Sequence, residues 1–336
     1  MKQYFRPLVQ VGAARPDTAL PLAGGWGWFT HVEVLERGRA PVVISADQAY
    51  DDLSALTLAR APIAGLEWDR PQVMGILNVT PDSFSDGGQH HGDAATAHAV
   101  QMVQDGAVII DVGGESTRPG AETVDPQDEI TRTAPAIAAI RAGGIETPIS
   151  IDTRKAAVAA AALDAGADVV NDVAGFTYDA ALAPLCAFRG APVCVMHAQG
   201  DPATMHHDPH YDDVLLDVYD YLEERITALT GQGIARDQII ADPGIGFGKT
   251  LEHNMTLLNR LSLFHGLGVP ILLGVSRKRF IGTLADEPDA SRRGPGSVGV
   301  ALAALGQGVQ LIRAHDVALH TQAIALWRAS VAHRSS

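Results

Sequence analysis

The sequence predicts an α/β protein, a TIM (β/α)8 barrel that follows an N-terminal extension of short strands. From residue 73 onward, a three-part unit recurs: a short apolar run rich in β-branched residues, a polar or glycine-rich loop, and an alanine-rich stretch. Near-continuous apolar runs are typical of strands buried on both faces, as in a parallel sheet covered by helices. Eight such units match a TIM barrel in count and in length.

Eight segments form the predicted strands, and the stretches between them have helical periodicity. For example, K-A-A-V-A-A-A-A-L-D-A-G ends at Gly166, and glycine commonly terminates helices. A doubly wound sheet is the main alternative, but it rarely needs so many uninterrupted units, and no first turn here carries G-x-G-x-x-G. The predicted strands are 73–79, 107–113, 148–153, 168–173, 192–197, 238–243, 270–276 and 310–315.

Residues 1–72 lie outside this array and are expected to pack on the barrel, which we predict to span residues 73–336. Two segments of this extension, 21–38 and 41–45, resemble short alternating strands. Three aromatic residues within four positions, Trp26, Trp28 and Phe29, have two interpretations. They could form a platform for a ligand, or they could anchor the extension on the main core.

Composition excludes several classes of function. The chain has 336 residues, 46% of them hydrophobic, and a formal net charge of −14, which argues against nucleic acid or an anionic membrane as a partner. The two cysteines, Cys186 and Cys194, lie in apolar settings, so buried thiols are favoured over a disulfide. The N-terminus lacks a signal-peptide pattern and no apolar run approaches 18 residues. We therefore expect a cytoplasmic protein.

Polar and charged residues collect where the predicted strands end, which in a TIM barrel is the face that carries the active site. Strand ends that are merely polar would explain Ser, Asn and Gly there. They would not explain charges inside the β-runs, such as Asp152, Asp242 and Arg313, because a buried charge costs several kcal/mol unless it is paired. The pattern favours a ligand site. Its candidates are Asn78, Asp111, Glu115, Ser116, Thr117, Arg118, Asp152, Asn171, His197, Asp242, Ser276, Arg277, Lys278, Arg313 and His315.

The types of these side chains indicate the type of ligand. Asp152, Asn171 and Asp242 offer acceptors and an amide that suit a planar heterocycle with adjacent N–H donors. The amide oxygen of Asn78 is a hard ligand suited to Mg²⁺, which usually keeps several waters and bridges phosphates. The prediction is a nitrogen heterocycle at the barrel floor and a pyrophosphate near the rim. The cations expected near that anion are Arg118, Lys249, Arg277, Lys278, Arg279, Arg313 and, when protonated, His315.

Two loops have distinctive sequences. G-I-G-F-G-K-T (244–250) resembles a phosphate-binding P-loop, but that motif requires glycine where Pro243 stands, so a tight βα loop is the better interpretation. T-P-D-S-F-S-D-G-G (80–88) has Pro81 at its start and a glycine pair at its end, as a hinged lid would. Phe84 would then cover a planar substrate when this lid closes.

Eight motifs in this order resemble one family, the dihydropteroate synthases of the pterin-binding TIM barrels. The resemblance spans residues 71 to about 325. Its most specific motifs are G-I-L-N-V-T-P-D-S-F-S-D-G-G (75–88) and D-V-G-G-E-S-T-R-P-G (111–120). The others are S-I-D-T (150–153), N-D-V (171–173), V-M-H-A-Q-G (195–200), D-P-G-I-G-F-G-K (242–249), G-V-S-R-K (274–278) and R-A-H-D-V (313–317).

The resemblance implies a reaction and a set of site residues. Family members join 6-hydroxymethyl-7,8-dihydropterin pyrophosphate to p-aminobenzoate with the help of Mg²⁺, and they are commonly homodimers. The implied pterin-binding residues are Asp152, Asn171, Met196, Asp242, Phe247 and Lys278. Those for pyrophosphate are Asn78, Thr117, Arg313, Ala314 and His315, with Asn78 also on the metal, and those for p-aminobenzoate are Phe84, Thr117, Arg118, Pro119 and Lys278. Asp152, Lys278, Arg313 and His315 are the implied catalytic residues.

Two other classes of protein share part of this pattern. A pterin-binding barrel without turnover would keep the pocket, but it would have no need of the leaving-group and second-substrate residues. A pterin-dependent methyltransferase would share the Asp and Asn constellation, but we would not expect it to carry the two long motifs.

Two features depart from the family pattern, namely Ala198 at a position where a bulkier residue is common and the long N-terminal extension.

Overall fold

The computed structural model describes residues 1–79, 91–116, 123–200, 205 and 208–332, and its first part is a small β-rich extension. A three-stranded antiparallel sheet has the strand order β1-β4-β5, and β2 pairs with β3. These elements are β1 (Tyr4–Pro7), β2 (Leu20–Pro21), β3 (Trp28–Phe29), β4 (His31–Leu35), β5 (Val42–Ser45), a 3-10 helix at Ala46–Asp52 and the short helix α1 (Ser54–Thr57).

Eight parallel strands then form a closed barrel, as the sequence predicted. Their hydrogen-bonded order is β11-β10-β9-β8-β7-β6-β13-β12, and a parallel bridge between Ala241 and Ile271 joins the two ends of this series. The strands are β6 (Gln72–Asn78), β7 (Ile109–Gly113), β8 (Ile149–Asp152), β9 (Val169–Asp172), β10 (Val193–Met196), β11 (Ile239–Asp242), β12 (Leu272–Gly274) and β13 (Leu311–Ala314).

Helices cover the outside of the barrel and connect successive strands. In α3, the side chain of Asp125 caps the N-terminus by accepting from Gln127 N, and a proline occupies the first turn. The helices are α2 (His91–Gln104), α3 (Pro126–Ala142), α4 (Ala156–Asp164), α5 (Leu182–Arg189), α6 (Val214–Gly231), α7 (Leu251–Asn259), α8 (Arg279–Ala285), α9 (Gly294–Leu305) and α10 (Val317–Ala332). In the described part of the chain, none of them is long and apolar enough to cross a membrane.

The barrel interior has an apolar layer below a polar one. Side chains in a strand alternate between the two faces, so residues two apart point to the same side. The apolar layer near the N-terminal ends of the strands packs against Ile63, Leu66 and Trp68 of the extension, which close that end of the barrel. Its strand members are Met74, Ile109, Val169, Cys194, Ile240, Leu272 and Leu311. Two residues further along the same strands lie Ile76, Asp111, Asn171, Met196, Asp242, Gly274 and Arg313.

The three clustered aromatic residues of the extension, Trp26, Trp28 and Phe29, contact other parts of the protein. Trp26 donates from Nε1 to Leu305 O at 3.0 Å and meets Trp327 edge-on, which fixes the extension to the last two helices of the barrel. Phe29 is fully buried in the extension's own apolar core, and Trp28 donates to Gly12 O. Cys186 and Cys194 are both free and buried.

Candidate active site

The floor of the barrel carries an ion-pair network around Arg313 of β13. Its Nε donates to Oδ2 of Asp111 at 2.6 Å, and its Nη2 donates to Oδ2 of Asp152 at 2.7 Å. Asn171 of β9 donates from Nδ2 to the same Asp111 oxygen at 3.2 Å. The register of four strands thus joins four of the candidates chosen from the sequence into one hydrogen-bonded group, namely Asp111, Asp152, Asn171 and Arg313.

The carboxyl group of Asp152 has a pKa close to neutral pH. Burial is the main cause, and it raises the pKa of Asp152 to about 7. The positive charge of Arg313 opposes this shift, whereas the carboxylates of Asp111, Glu129 and Asp172 add to it. Burial alone would lower the pKa of Arg313, but its two carboxylate partners outweigh that effect and raise it. Arg313 therefore stays charged while Asp152 titrates near neutral pH.

Asp242 and Lys278 form a second pair of opposite charges on the floor. Burial raises the pKa of Asp242, and burial lowers the pKa of Lys278 to about 8, with each group opposing the shift of the other. A Cβ atom at Gly274 would lie 3.7 Å from Asp242 Oδ2 and 3.9 Å from Lys278 Nζ, so glycine leaves the space between the pair open. Lys278 also donates to Ile245 O, and its Nζ lies 4.6 Å from the centre of the Phe247 ring.

The loop between β11 and α7 is the tight βα loop that the sequence predicted, and glycines allow it to pack closely. Gly244 and Gly248 have φ angles of 68° and 59°, and a Cβ atom on either would collide with a carbonyl oxygen, of His197 or Gln199 respectively. Lys249 ends this loop and is buried inside it. Its Nζ donates to Gly244 O at 2.8 Å and to Phe247 O at 3.0 Å, and it lies 2.8 Å from His197 Nδ1. Lys249 therefore supports the loop instead of facing an anion.

The rim of the barrel carries Asn78 and His315. A Cβ atom at Gly113 would lie 3.7 Å from Asn78 Oδ1 and 3.8 Å from Asp152 Oδ2, so the amide and the carboxylate flank one position. Ser276 Oγ accepts from His315 N at 3.1 Å and lies 3.0 Å from its Nδ1, which holds the imidazole ring.

Of the remaining predicted residues, two are buried at strand ends and four lie outside the described ranges. Met196 is buried at the end of β10 and Ala314 is buried within β13, so Ala314 could reach a ligand only through its backbone. The four predicted residues outside the described ranges are Phe84, Thr117, Arg118 and Pro119. The centres of the two loops predicted to move, 80–92 and 115–125, also lie outside those ranges.

Comparison with known proteins adds an independent finding. The sequence profile of the family described as pterin binding enzyme matches residues 74–315, which hold nearly the whole barrel. The dihydropteroate synthase of Neisseria meningitidis serogroup C is 45% identical over 265 residues, which are 78% of this chain and 93% of that relative.

Solved structures agree in fold as well as in sequence. The Yersinia pestis dihydropteroate synthase with a sulfonamide drug complex is 44% identical, with a TM-score of 0.75, and the match covers 81% of this chain and 98% of that one. The Xanthomonas albilineans dihydropteroate synthase with 4-aminobenzoic acid is 43% identical, with a TM-score of 0.76, and the match covers 82% of this chain and 99% of that one.

The chain belongs to the dihydropteroate synthase family of pterin-binding enzymes. It is therefore a transferase of folate biosynthesis, as its motifs predicted, and its TIM barrel is the fold of the family. The family match begins at residue 74, so the extension lies outside it.

Several buried residues of this dihydropteroate synthase have a supporting role that the sequence did not indicate. Asp111 was noticed only as one of many polar strand ends, yet it contacts Arg313 and Asn171. A second group of buried charges connects Glu115 with Val124, since Lys155 Nζ donates to Val124 O at 2.7 Å and lies 3.2 Å from Glu115. This group consists of Glu115, which was among the candidates at the strand ends, together with Glu129 of α3 and with Arg154 and Lys155 between β8 and α4.

Proposed function

We propose that this enzyme joins 6-hydroxymethyl-7,8-dihydropterin pyrophosphate to p-aminobenzoate, giving 7,8-dihydropteroate and pyrophosphate, at the C-terminal end of its barrel. The observation that carries the proposal is the convergence of Asp152, Asn171, Asp242, Lys278 and Arg313 on one buried floor. Such a group of charged and amide side chains is costly to bury unless a polar ligand uses it.

The pterin ring would lie on this floor, held by hydrogen bonds to its edge. Asp152 and Asp242 are acceptors suited to the N–H groups of an aminopyrimidinone, and the amide of Asn171 adds one more polar contact. Met196 and Phe247 would flank the faces of the ring, because one is a buried thioether on the barrel floor and the other is an aromatic ring beside Lys278.

The pyrophosphate would lie at the rim, where β6 ends at Asn78 and β13 ends at Ala314, with His315 directly after it. Among the described residues, no group of three or more His, Cys, Asp or Glu side chains could hold a metal ion. One amide oxygen, that of Asn78, nevertheless fits Mg²⁺, since this ion keeps several waters and is often held through substrate phosphates. When bound, Mg²⁺ would supply charge neutralisation for the leaving group.

The second substrate, p-aminobenzoate, would bind beside Lys278. Phe84, Thr117, Arg118 and Pro119 are proposed as its further contacts on the strength of the sequence motifs alone. The Xanthomonas albilineans relative was solved with 4-aminobenzoic acid, which supports this choice of substrate. A sulfonamide would occupy the same place as an analogue, in line with the drug complex of the Yersinia pestis relative.

The chemistry that these residues support is electrostatic. As the C–O bond to pyrophosphate loosens, positive charge spreads over the pterin, and ionised Asp152 would stabilise it. Arg313 and His315 would stabilise the negative charge that develops on the leaving oxygens. The amino group of p-aminobenzoate is neutral at pH 7, so it needs orientation next to the methylene carbon rather than a general base.

We also propose that the enzyme works in the cytoplasm as a homodimer. The acidic chain and its two buried free thiols fit a reducing compartment. Light scattering at micromolar concentration tests the dimer, and a mass close to 35.3 kDa would contradict it.

A coupled assay for pyrophosphate release tests the function. We expect release from the pterin pyrophosphate only when p-aminobenzoate is present, loss of release after chelation by EDTA, and recovery with Mg²⁺. A sulfonamide should raise the KM for p-aminobenzoate without lowering kcat.

The same assay separates the alternatives. A pterin-binding protein without turnover would release no pyrophosphate under any condition. A methyltransferase barrel would bind pterin but show no dependence on p-aminobenzoate. Release that persists in EDTA would remove Mg²⁺ from the proposal while leaving the condensation intact.

A further inference from the structure

Asp111 is a fully buried carboxylate whose hydrogen bonds go to residues of the site. It lies on β7 inside the barrel, one layer deeper than Asp152. A single oxygen, Oδ2, accepts from Arg313 Nε at 2.6 Å and from Asn171 Nδ2 at 3.2 Å. Its partners therefore come from β13 and β9, each of which lies two strands away from β7, on opposite sides of it.

A buried carboxylate that serves only the fold looks different in this chain. Asp172 is equally buried, and its two oxygens accept from the backbone N–H groups of Ala174 at 2.7 Å and Phe176 at 2.6 Å. By contrast, Asp111 Oδ1 is buried and meets no hydrogen-bond partner in the described part of the chain. The contacts recorded for Asp111 are thus to Asn171 and Arg313, two residues of the proposed site.

These contacts determine what the site offers to a ligand. A carboxylate can only accept hydrogen bonds, so it holds the Asn171 amide with its NH₂ group toward Asp111. The atom that Asn171 can then offer to a ligand is its carbonyl oxygen, an acceptor for a ring N–H. The guanidinium of Arg313 donates from Nε to Asp111 and from Nη2 to Asp152. These two charge-assisted hydrogen bonds together determine its orientation.

We propose that Asp111 is a positioning residue for the pterin site: it fixes the amide orientation of Asn171 and the guanidinium of Arg313. This inference rests on the proposed function, because it assumes that the ligand of the floor is a pterin. It predicts selectivity as well as affinity. With Asp111 in place, Asn171 favours ligands that present an N–H at that edge, whereas without it the amide is free to turn.

The first test is the isosteric variant Asp111→Asn, measured by pyrophosphate release and by calorimetric binding of 7,8-dihydropteroate. We expect KM for the pterin substrate and Kd for 7,8-dihydropteroate to rise about 10- to 100-fold, because charge-assisted hydrogen bonds to both partners weaken. KM for p-aminobenzoate should change less than about 2-fold. The control is Ser150→Ala, because Ser150 lies opposite Asp111 on β8 and makes no recorded hydrogen bond among the described residues. This variant should match the wild type.

A double-mutant cycle distinguishes positioning from a general loss of structure. In the Asn171→Ala background, Asp111→Asn should weaken 7,8-dihydropteroate binding clearly less than it does in the wild type, since one of its two routes to the ligand is gone. The inference is wrong if the fold-increases in Kd caused by the two substitutions simply multiply in the double variant. It is also wrong if Asp111→Asn raises both KM values equally and lowers the melting temperature.

The two claims fail in different ways. A wild-type enzyme that binds 7,8-dihydropteroate but releases no pyrophosphate contradicts the proposed function. The role of Asp111 is then tested by the Kd values for 7,8-dihydropteroate of the wild type and of Asp111→Asn. An active wild type whose Asp111→Asn variant keeps both its pterin KM and its Kd contradicts the inference alone.

Discussion

At the scale of single residues, Asp152 and Lys278 have pKa values that burial moves toward neutrality, to about 7 and about 8. Pterin binding and stabilisation of its cation need Asp152 ionised, which holds above its pKa. Lys278 is proposed to contact both substrates as a cation, and it is protonated below its pKa. We therefore predict that kcat/KM falls below about pH 7 and above about pH 8, since these limbs report the free enzyme.

A pH series from 5.5 to 9.5 checks this prediction. Asp152→Asn should have low activity and no acid limb near pH 7. A wild-type profile that stays flat from pH 7.5 down to 5.5 would be inconsistent with the role given to Asp152.

His265 predicts a pH effect on stability instead of activity. It is fully buried, its Nε2 donates to Gln307 O at 3.0 Å, and burial with nearby Arg60 lowers its pKa to about 3. The unfolded chain takes up a proton below about pH 6.5, whereas the folded chain does not, so this residue costs stability as the pH falls. Relative to His265→Gln, the wild type should lose ~1.4 kcal/mol of unfolding free energy per pH unit between about pH 6 and 4.

Urea denaturation of both proteins at several pH values measures that difference. The comparison with a variant removes the opposite effect of Asp152 and Asp172, whose raised pKa values stabilise the fold as the pH falls. A difference that does not change with pH would show that His265 titrates normally in the folded state.

At the scale of elements, the loop between β11 and α7 depends on Lys249. Replacing Lys249 with methionine would leave the carbonyls of Gly244 and Phe247 buried without their donor, at a cost of ~1–3 kcal/mol each. We predict that Lys249→Met lowers the unfolding free energy by ~2–5 kcal/mol. It should also raise KM for the pterin substrate, because the same loop carries Phe247 and follows Asp242.

Denaturation and steady-state kinetics of Lys249→Met measure both effects. Lys2→Met is a suitable comparison, since Lys2 is an exposed lysine whose ion pairs are worth less than about 1 kcal/mol. Equal unfolding free energies for the two variants would contradict the supporting role of Lys249.

The same loop illustrates what the sequence could and could not predict. Each predicted strand was found because its apolar residues are contiguous, a local property, and the polar residues at strand ends followed from the barrel architecture. Lys249 was expected near an anion because its charge is visible in the sequence. The direction of its side chain depends on the turn that Gly244 and Gly248 permit, and on the position of His197 in another strand.

The supporting contacts of Asp111 and Lys155 were missed for a related reason. Their significance comes from partners 202 and 26 residues away in sequence, Arg313 and Glu129, and no local pattern encodes such a pairing. The chemistry of a site can therefore be predicted from the residue types at the strand ends. The network that holds those residues requires the register of the whole barrel.

At the scale of the whole molecule, the extension completes the barrel that carries the site. Trp68 is buried against the apolar layer at the N-terminal end of the strands, and its Nε1 donates to Ala61 O at 2.8 Å. Trp68→Ala should cost ~3–5 kcal/mol of unfolding free energy, as large-to-small core substitutions do. Since the site lies at the opposite end, both KM values should stay within about 2-fold of the wild type at a temperature where the variant is folded.

Chemical denaturation and kinetics on the same preparation test this division of roles. The exposed Tyr50→Ala provides a variant of the extension that should change neither quantity. A large rise in pterin KM for Trp68→Ala would show that the extension also shapes the site.

The most direct test of the central claim is to identify and count the products of one turnover. Excess enzyme with Mg²⁺, pterin pyrophosphate and p-aminobenzoate should yield 7,8-dihydropteroate and pyrophosphate in equal amounts by mass spectrometry and phosphate analysis. Asp242→Asn should form both products at least 10-fold more slowly, because the pterin loses a charged acceptor on the floor. Pyrophosphate without 7,8-dihydropteroate, or an Asp242→Asn variant as fast as the wild type, would contradict the claim that this floor performs the condensation.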